Sequence, residues 1–293
     1  MKNKKKSTLI FGCGYLGNRV ATRLAQQNGE TFAVTRSAEK ATRLAAAGIV
    51  PILADWNERS TLSSLPSTEQ VLVAVGWDRG GDRSQYDVYV RGLRNALDAI
   101  PRSANVVYVS STGVYHQTDG SWVDETSPCN PPIESGGWCH LQAEALLWRH
   151  RPHAATTILR MAGLYGPDRV PRGRDIAAGQ PVVAPTQGYL NLIHIDDAAT
   201  AVLAAWRDNS SGHRTYVVSD GHPVVRQTYY EEIARIMRRP MPEFIEPDSS
   251  SRSKRRSTTN KRIWTARFRR ELCPRLKYPD YRVGLRGILA GQW

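Results

Sequence analysis

An α/β fold, built on a doubly wound parallel sheet with a smaller C-terminal substrate lobe, is the architecture that the sequence predicts. Through the first half of the chain, short apolar runs alternate with amphipathic helical patterns. A glycine-rich turn joins the first apolar run to the first helical pattern, and the second half is less regular and rich in Gly, Pro and Arg. Such alternation is typical of βαβ units. The 293 residues, 41% of them hydrophobic, are enough for one large domain or two smaller ones.

The first half predicts five strands separated by helices. Asp82 would cap the third helix, which lies between the fourth and fifth strands. The apolar stripe of this helix comprises Tyr86, Val90, Leu93, Leu97 and Ile100. The predicted strands cover residues 8–12, 31–35, 49–55, 71–75 and 104–110, and the first two helices cover residues 15–27 and 38–47.

After Ser110 the alternation breaks down. Residues 113–137 are rich in Gly, Pro, Ser and Asp and predict a long loop, and such loops in compact domains are usually functional. A helix is predicted near Trp138, and residues 228–231 have the capping-box pattern of a helix start. Further strands are predicted at 156–163, 190–195 and 215–219, a loop at 166–188, a helix at 196–207 and a linker at 240–253.

These boundaries predict three parts of the chain. Residues 1–6 would be a basic leader, residues 7–240 the domain that contains the sheet, and residues 241–293 a basic C-terminal lobe. Residues 166–190 would be lobe segments interleaved into the sheet domain.

The formal net charge of +13 is concentrated at the two ends of the chain. Most of it lies in residues 2–6 and in the stretch after Arg252, so the body of the chain is near neutral. In the basic tail, Ile263, Trp264, Phe268 and Leu272 have helical spacing and leave the arginines on a solvated face. This argues against nucleic acid as a partner, although a basic surface with interleaved aromatic residues stays open as the alternative.

Cysteine content and hydropathy exclude several other classes. Four cysteines do not make a disulfide framework in a chain of this length, and their spacing does not fit a metal site. No apolar stretch reaches the roughly 18 residues that a membrane helix needs, and the basic start is not followed by a signal-peptide cleavage site. We therefore expect a cytoplasmic protein without a metal or a membrane partner.

A dinucleotide-binding turn is predicted at Gly12-Cys-Gly14-Tyr15-Leu16-Gly17. The G-x-G-x-x-G spacing lies between the first strand and the first helix, as a Rossmann-like fold requires. Gly12 would allow the tight turn, Gly14 the approach of a pyrophosphate, and Gly17 the close packing of helix and strand. The alternative is a glycine-rich turn that binds nothing.

The end of the second strand favours NADP over NAD. An NAD site usually has an acidic residue there, whereas this chain has Arg36 and Ser37, with Lys40 one helical turn later. A solvated arginine is the alternative. Asp55 and Trp56 would lie near the adenine, and a strand-terminal Asp is also a common helix cap. Val75 and Gly76 would lie near the nicotinamide ribose.

Several stretches give the chain its likeness to a known family. They are GCGYLG near the start, VVYVSSTGVY after the fifth strand, ILRMAGLYGPDR at 158–169, NLIHIDDAATAV at 191–202, and NKR at 260–262 with YPDYRVGL at 278–285. In these residues and their order the chain resembles the extended and atypical short-chain dehydrogenases, most of all the YeeZ-type atypical subgroup. The resemblance implies an NAD(P)-dependent oxidoreductase or epimerase/dehydratase and a homodimer. Phe11 departs from it, since extended members favour a glycine there.

The resemblance also implies roles for individual residues. Ser111, four residues before Tyr115, matches the serine or threonine that orients the substrate, where its hydroxyl would polarise a carbonyl. A serine that only satisfies a turn is the alternative. Tyr115 would be a displaced acid or a wall of the cofactor cleft. The other matches are Ser110, Ala162 and Gly163 beside the cofactor, and Thr112 and Tyr165 on the substrate side.

One part of the family pattern is missing. Redox members carry a Tyr four residues before a Lys, and the matching positions here are Gly136 and His140. No Tyr-x-x-x-Lys occurs between Ser110 and Arg160. His140 could move protons near neutral pH, or it could be a partly buried structural histidine.

Two functions therefore stay open from the sequence. The first is an NADP-dependent oxidoreductase or epimerase acting on a small-molecule substrate, which could be anionic, with Ser111, Tyr115 and His140 as candidate catalytic residues. The second is an NADP-binding protein without turnover, which acts as a sensor or binds a partner. The missing Tyr/Lys pair favours the second, and the intact cofactor segments favour the first.

Overall fold

A computed structural model describes residues 6–78, 80–207, 212–248 and 259–290 of the chain. Its contacts group into two compact units, each made of separate stretches of sequence. Unit 1 comprises the described residues of Met1–Val114, Pro131–Arg160 and Ala199–Tyr216. Unit 2 comprises those of Tyr115–Asn130, Met161–Ala198 and Val217–Trp293. Unit 2 thus takes in more of the chain than the lobe segments expected at 166–190 and 241–293.

A seven-stranded parallel sheet is the centre of the fold, as the sequence predicts. Its strand order is β12-β7-β5-β4-β1-β2-β3. Because the order reverses beside β1, a topological switch point lies there, and ligands of such sheets bind at the carboxyl ends of the strands flanking it. The strands are β1 (Thr8–Phe11), β2 (Thr31–Thr35), β3 (Val50–Leu53), β4 (Gln70–Val73), β5 (Asn105–Ser111), β7 (Thr156–Met161) and β12 (His213–Val218).

Helices of 8 to 15 residues lie between these strands in sequence. They are α1 (Tyr15–Gln26), α2 (Ala38–Ala46), α3 (Gly92–Ala99), α4 (Gly136–His150) and α6 (Ile195–Ala205), with a π turn at Asp87–Arg91 before α3 and 3-10 turns at Arg59–Leu62 and Thr112–Val114. All four residues of β1 are buried, as expected for a central strand covered on both faces.

The start of the third helical segment differs from the prediction. Ser84 caps it instead of Asp82, because the Ser84 hydroxyl accepts the Asp87 amide at 3.0 Å while the Asp87 carboxylate accepts from Ser84. Serine and aspartate three residues apart form a reciprocal cap. Tyr86 lies outside the core with 37% of its surface exposed, whereas Leu93 and Leu97 are buried as predicted.

A buried polar cluster joins α4 to β5 and β7 in unit 1. The Arg160 guanidinium donates twice to the Glu144 carboxylate, at 2.8 and 3.1 Å. The Ser110 hydroxyl donates to the same carboxylate at 2.5 Å. Since these charges are buried, their hydrogen bonds offset the loss of hydration. The cluster fixes the helix whose first residue is Gly136.

Unit 2 contains short strands and helices around an aromatic core. Its paired strands are β10 (Tyr189–Leu190) with β13 (Val224–Val225), β11 (Leu192–His194) with β8 (Gly163–Tyr165), β14 (Phe244–Ile245) with β9 (Val182–Val183), and β15 (Arg262–Ile263) with β6 (Trp122–Val123). Its other helices are α5 (Gly173–Ala177), α7 (Arg226–Ile236), α8 (Ala266–Glu271) and α9 (Tyr281–Leu289). Tyr165, Tyr229, Leu285 and Ile233 lie in its core.

Several predictions for this part of the chain are wrong in detail. Helix α7 begins at Arg226, so the pattern at 228–231 lies inside the helix. The expected linker at 240–253 includes β14, which pairs with β9, and its residues 249–253 lie outside the described part of the chain, as do residues 1–5 of the leader. The predicted tail stripe is broken: Ile263 belongs to β15, and Trp264 is 55% exposed.

Among the described residues, no helix combines the length and apolar character needed to cross a bilayer. The same part of the chain contains no group of three or more His, Cys, Asp or Glu side chains suited to a metal ion.

Candidate functional site

A cavity of about 840 Å³ opens in unit 1 at the carboxyl ends of β1 to β4. Pockets for small molecules and cofactors commonly have volumes of roughly 300–1,000 Å³. Its walls are the segments that follow each strand, which is where ligands bind in sheets of this topology. The predicted cofactor residues that line it are Gly12, Gly14, Arg36, Ser37, Asp55, Trp56, Val75 and Gly76, together with Lys40 and Arg83.

The three glycines of the first turn have different surroundings. Gly12 has a φ of +86°, and a Cβ there would lie 2.5 Å from the backbone of Ala74. A Cβ on Gly17 would overlap the carbonyl oxygen of Gly12. Nothing lies within 4 Å of the place where Gly14 would carry a Cβ. The first and third glycines therefore serve packing, and the second leaves open space in the cavity.

The N-terminus of α1 is suited to a pyrophosphate. Gly14 is its N-cap residue and offers no side-chain cap, and the first turn carries no acidic residue. The first amide groups of a helix have no partner within it and attract anions. Burial raises the pKa of the neighbouring Cys13 thiol to about 11, so this side chain adds no negative charge. The turn thus fits the group that its spacing predicts.

Arg36, Ser37 and Lys40 lie side by side in the cavity wall. The Ser37 hydroxyl caps α2 by accepting the Lys40 amide at 3.2 Å. The Arg36 side chain is 61% exposed and lies 3.9 Å from the Asp55 carboxylate. Arg36 and Lys40 thus give this end of the cavity two cations.

The sequence did not predict that Arg83 lines the cavity. Its guanidinium lies 3.4 Å from Asp55 and 2.7 Å from Glu58, so Asp55 already has a cationic partner. Arg83 lies in an irregular charged loop after β4, where no periodic pattern indicates which side chains turn inward. Trp56 is mostly core: its indole packs on Gly92 and lies 6.1 Å from the Phe11 ring.

Several predicted cofactor residues do not line the cavity. Ser110 is buried and bonded to Glu144, and Gly17 is closed off by the Gly12 carbonyl. Ala162 and Gly163 belong to unit 2. Tyr15 and Leu16 form the first turn of α1 without lining the cavity.

Ser111 ends β5 with its hydroxyl oxygen in a local turn. The Ser111 Oγ accepts the Gly113 amide at 3.0 Å, and the side chain is partly exposed. An accepting hydroxyl retains its own proton for another acceptor. Both readings of Ser111, as a turn residue and as a donor to a carbonyl, fit this geometry. Thr112 follows in the 3-10 turn and is also partly exposed.

His140 is a buried member of α4, contrary to the expectation of a pKa near neutrality. Its Nδ1 pairs with the Tyr108 hydroxyl at 2.9 Å, and the Tyr89 ring lies 4.3 Å from its own. Burial lowers the pKa of His140 to about 4, so the imidazole is neutral at pH 7. This environment favours the structural interpretation of His140.

The first two residues of α4 are glycines with little or no space for a side chain. A Cβ on Gly136 would lie 3.2 Å from the Gln85 side chain, and a Cβ on Gly137 would overlap the Gly113 carbonyl oxygen. A glycine at position 137 is therefore needed for α4 to approach the turn after β5.

Tyr115 and Tyr165 both belong to unit 2 and are fully buried. The Tyr115 carbonyl oxygen accepts from the Lys261 ammonium at 2.9 Å. Burial, and to a lesser degree nearby carboxylates, raises the pKa of Tyr165. Its hydroxyl donates to the Asp280 carbonyl oxygen at 3.4 Å. Tyr165 thus packs as a core residue of unit 2.

Comparisons with known proteins agree with the fold. The model of the NAD dependent epimerase/dehydratase family matches residues 8–219. Protein YeeZ of Escherichia coli K12 is 28% identical over 288 residues, which cover 94% of this chain and 97% of YeeZ.

Two solved structures share the architecture. One, from Methylobacillus flagellatus, is a candidate NAD-dependent epimerase/dehydratase that is 30% identical, with a TM-score of 0.75 and coverage of 97% of this chain and 98% of that one. The other, MoeE5 in complex with UDP-glucose and NAD, is 18% identical, with a TM-score of 0.75 and 97% coverage of both chains. At that identity the likeness to MoeE5 concerns the fold alone.

Proposed function

The chain belongs to the NAD dependent epimerase/dehydratase family and is thereby an NAD(P)-dependent oxidoreductase or epimerase, and from this premise we propose that it binds NADP in the unit 1 cavity and acts on a small-molecule carbonyl or alcohol. The observation that carries the proposal is the turn at Gly14. There, an uncapped helix start and open space meet inside a cavity at the carboxyl ends of the sheet.

Phosphate binding would rest on the backbone of this turn. The pyrophosphate would meet the first amides of α1, where the helix dipole and unpaired N–H groups favour negative charge. A side chain at position 14 would occupy that space. Val75 and Gly76, which follow β4 in the same cavity, would lie along the nicotinamide ribose.

The preference for NADP would come from Arg36 and Lys40. A 2′-phosphate needs cationic donors at the end of β2, and this chain has Arg36 there with no acidic residue beside it in sequence. The nearest carboxylate, Asp55, is held by Arg83. Arg36 is therefore available to turn towards a phosphate.

When bound, the nicotinamide ring supplies or accepts a hydride. Ser111 would hold the reacting oxygen of the substrate by donating its hydroxyl proton, since its oxygen already accepts from Gly113. His140 is buried and neutral, and its ring nitrogen is engaged with Tyr108. We therefore assign the proton transfer to water rather than to His140 or Tyr115.

The test is a titration of the purified protein with NADPH and NADH, followed by nicotinamide fluorescence. We expect NADPH to bind more tightly than NADH, and Arg36→Glu to weaken NADPH binding at least tenfold while leaving NADH nearly unchanged. Arg59→Glu is the matched control, because Arg59 has a similar exposure of 73% and does not line the cavity.

Equal affinity for the two nucleotides, or equal losses in both variants, would contradict the NADP preference. Failure of both nucleotides to bind would contradict the proposal as a whole. The family resemblance also leads us to propose a homodimer. Light scattering on the protein as it elutes from a sizing column would measure its mass and so check this.

A second candidate function is NADP binding without turnover. The observations that favour it are the absence of a Tyr-x-x-x-Lys pair in the sequence and the burial of His140 at the matching position. Ser111→Ala separates the two functions. Carbonyl reduction that is lost in this variant, with NADPH affinity retained, supports the enzyme, whereas trace reduction that Ser111→Ala leaves unchanged points to binding alone.

A further inference from the structure

A second cavity, of about 420 Å³, opens in unit 2. Its walls are formed by β6, β10, β13, β15, the residues that precede β13 and the first turn of α9. Its size is within the range of small-molecule pockets, roughly 300–1,000 Å³. The residues that line it are Trp122, Tyr189, Gly221, His222, Pro223, Val224, Arg262, Tyr281 and Arg282. The family resemblance assigns none of them to the cofactor or the substrate, and the proposed hydride transfer does not use them.

Arg262 presents a fixed guanidinium group in the wall of this cavity. Its Cζ lies 5.0 Å from the centre of the Trp122 ring and 5.3 Å from that of Tyr189. Its Nε donates to the Gly120 carbonyl oxygen at 2.7 Å, and neither of its Nη groups has an acceptor among the described residues. Because the rings and the Nε bond already hold the guanidinium plane, a ligand can accept from the free Nη groups at a small cost in side-chain entropy.

Arg282 supplies a second cation to the same cavity. Its side chain is exposed, and its Cζ lies 4.6 Å from the centre of the Tyr281 ring. Within the described part of the chain, the guanidinium has neither an ion-pair partner nor a hydrogen-bond acceptor. Two arginines with unused donors therefore line one cavity.

The carboxylates near these arginines are engaged with the backbone. Asp119, whose charge interacts with that of Arg262, accepts the Ser121 amide at 3.0 Å. Asp280 caps α9 and accepts the Arg282 amide at 2.7 Å. Neither carboxylate forms an ion pair with a guanidinium of the cavity, and no acidic side chain is part of its wall. The cavity thus has an excess of positive charge, which favours an anionic ligand.

The rest of the wall offers flat apolar surface. Trp122 is 45% exposed, although tryptophan is among the more buried residue types. Its ring is supported from the side by Trp264, at 5.6 Å between centres and nearly perpendicular. Tyr189 is partly exposed in the same wall. Aromatic rings favour flat partners, which stack on them. An aliphatic anion would leave this surface uncovered, and a neutral ring would leave the arginines unpaired.

We propose that this cavity binds a small aromatic oxyanion, whose ring packs on Trp122 and Tyr189 and whose carboxylate or phosphate accepts from Arg262 and Arg282. The inference goes beyond the proposed function and does not depend on it. The observation that carries it is one cavity in which two unpaired guanidinium groups and exposed aromatic rings meet.

The main alternative is that Arg262 only fastens β15 to its neighbours. The strands β15 and β6 pair over two residues each, and Arg262 packs on Trp122 of β6 and Tyr189 of β10. In that case Arg262→Gln would lower stability, and the wild-type chain would not bind aromatic anions at this place.

The experiment is isothermal titration of the full chain with 2-naphthoate and, separately, with 2-naphthyl phosphate. NADPH is present throughout, so that the proposed cofactor site is filled. We expect at least one of the two anions to bind with a stoichiometry of one. The neutral 2-naphthamide and the non-aromatic cyclohexanecarboxylate should each bind at least tenfold more weakly, because each lacks one of the two features that the cavity recognises.

Variants locate the binding event. Arg262→Gln and Arg282→Gln should each weaken the anion at least tenfold, and Trp122→Leu should weaken it as well. Arg286→Gln is the matched control, since Arg286 is exposed on the next turn of α9 and does not line the cavity. It should change the affinity less than twofold. If Arg262→Gln does not fold, Arg282→Gln against Arg286→Gln carries the test, because both side chains are exposed.

The preferred probe identifies the anionic group as a carboxylate or a phosphate. Failure of both anions to bind the wild-type chain overturns the proposal, as does naphthamide that binds as tightly as the anions. Equal losses in Arg282→Gln and Arg286→Gln also overturn it. A loss in Arg36→Glu without one in Arg282→Gln would place the anion in the unit 1 cavity and contradict this site. Titration of the same samples with NADPH keeps the two proposals apart, since anion binding without NADPH binding contradicts only the proposed function.

Discussion

The two units of this protein treat buried charge in opposite ways. In unit 1 the buried Glu144 carboxylate is matched by Arg160 and Ser110, and the cavity is lined by residues at and after the strand ends. In unit 2 the buried Lys261 and the partly buried Arg226 have no carboxylate partner among the described residues, and one carboxyl oxygen of the buried Asp220 lacks a hydrogen-bond partner there. Pairing offsets the cost of burying a charge, whereas unpaired buried polar groups reduce the stability of the fold.

The units also differ in how their chain is assembled. The cavity of unit 1 is formed by consecutive βα turns, so each of its walls is next in sequence to a strand with an apolar pattern. Unit 2 brings together segments from residues 115–130, 161–198 and 217–290 through pairs of strands that are mostly two residues long. Long-range assembly of short elements leaves little periodic signal in the sequence.

The largest expected effect concerns the paired interior of unit 1. Glu144→Gln removes the counter-charge and leaves Arg160 buried without it, which we expect to lower the free energy of unfolding by about 3–5 kcal/mol. Chemical denaturation measures the change. A loss under 1 kcal/mol would show that the pairing in unit 1 does not distinguish it from unit 2.

The glycine-rich turn gives the next effect. A methyl group at position 17 would meet the Gly12 carbonyl, an unyielding backbone group, so Gly17→Ala should cost about 3 kcal/mol of stability. Gly14→Ala is the matched variant, because its methyl enters open space, and it should change stability by less than about 0.5 kcal/mol. Similar denaturation midpoints for both variants would contradict the separation of packing and binding roles.

Packing in unit 2 is tested at Gly284, within α9. A Cβ there would overlap the Tyr165 hydroxyl and lie 2.7 Å from the ring, so we expect Gly284→Ala to cost about 2 kcal/mol. Tyr165→Phe removes the oxygen, and the double variant should recover part of that loss. Additive losses in the double-mutant cycle would mean that Tyr165 does not fill the core at this point.

A further effect is a difference in pH dependence between the units. Burial raises the pKa of Asp220 to about 8, with Asp280 and Asp197 adding to the shift. The folded protein then holds a proton that the unfolded chain releases above a pH of about 4, so stability falls as pH rises from about 4 to 8. Asp220→Asn should remove this fall, so that between about pH 7 and 8 the stability of the variant stays level while that of the wild type declines.

His140 gives the opposite slope in unit 1. Its pKa of about 4 in the fold is below the unfolded value, so the unfolded chain binds the extra proton and stability falls as pH drops from about 6.5 to 4. Denaturation midpoints from pH 5 to 8.5 measure both slopes. If Asp220→Asn leaves the alkaline slope unchanged, Asp220 is not the group responsible.

The same contrast explains how far the sequence could be interpreted. The parallel sheet and the glycine turn followed from apolar periodicity and from three glycines at fixed spacing, because both signals are local. Ser84 caps the third helical segment instead of Asp82 because two residues suited to capping lie within one turn, and only the folded backbone selects between them. The low pKa of His140 comes from its burial, and the side chains that contact it, Tyr108 and Tyr89, are distant in sequence.

Unit 2 was the less predictable half for the same reason. Lys261 and Arg226 lose their exposure only after β15, β13 and α7 have been placed, and neither lies in a motif with a known chemistry. A weak signal existed, since Lys261 and Ile263 alternate as residues on one face of a strand do. A lysine in phase with a buried isoleucine indicates an inward-facing charge.

The most direct test of the central claim is the NADPH titration of the wild-type chain and Gly14→Ala, followed by nicotinamide fluorescence. In Gly14→Ala the added methyl group would enter the open space of the turn without disturbing the fold. We therefore expect saturable binding in the wild type, at least a tenfold loss of affinity in the variant, and the same stability for both. Equal binding by the two proteins, or no binding of NADPH or NADH by the wild type, would contradict the assignment of the cofactor to unit 1.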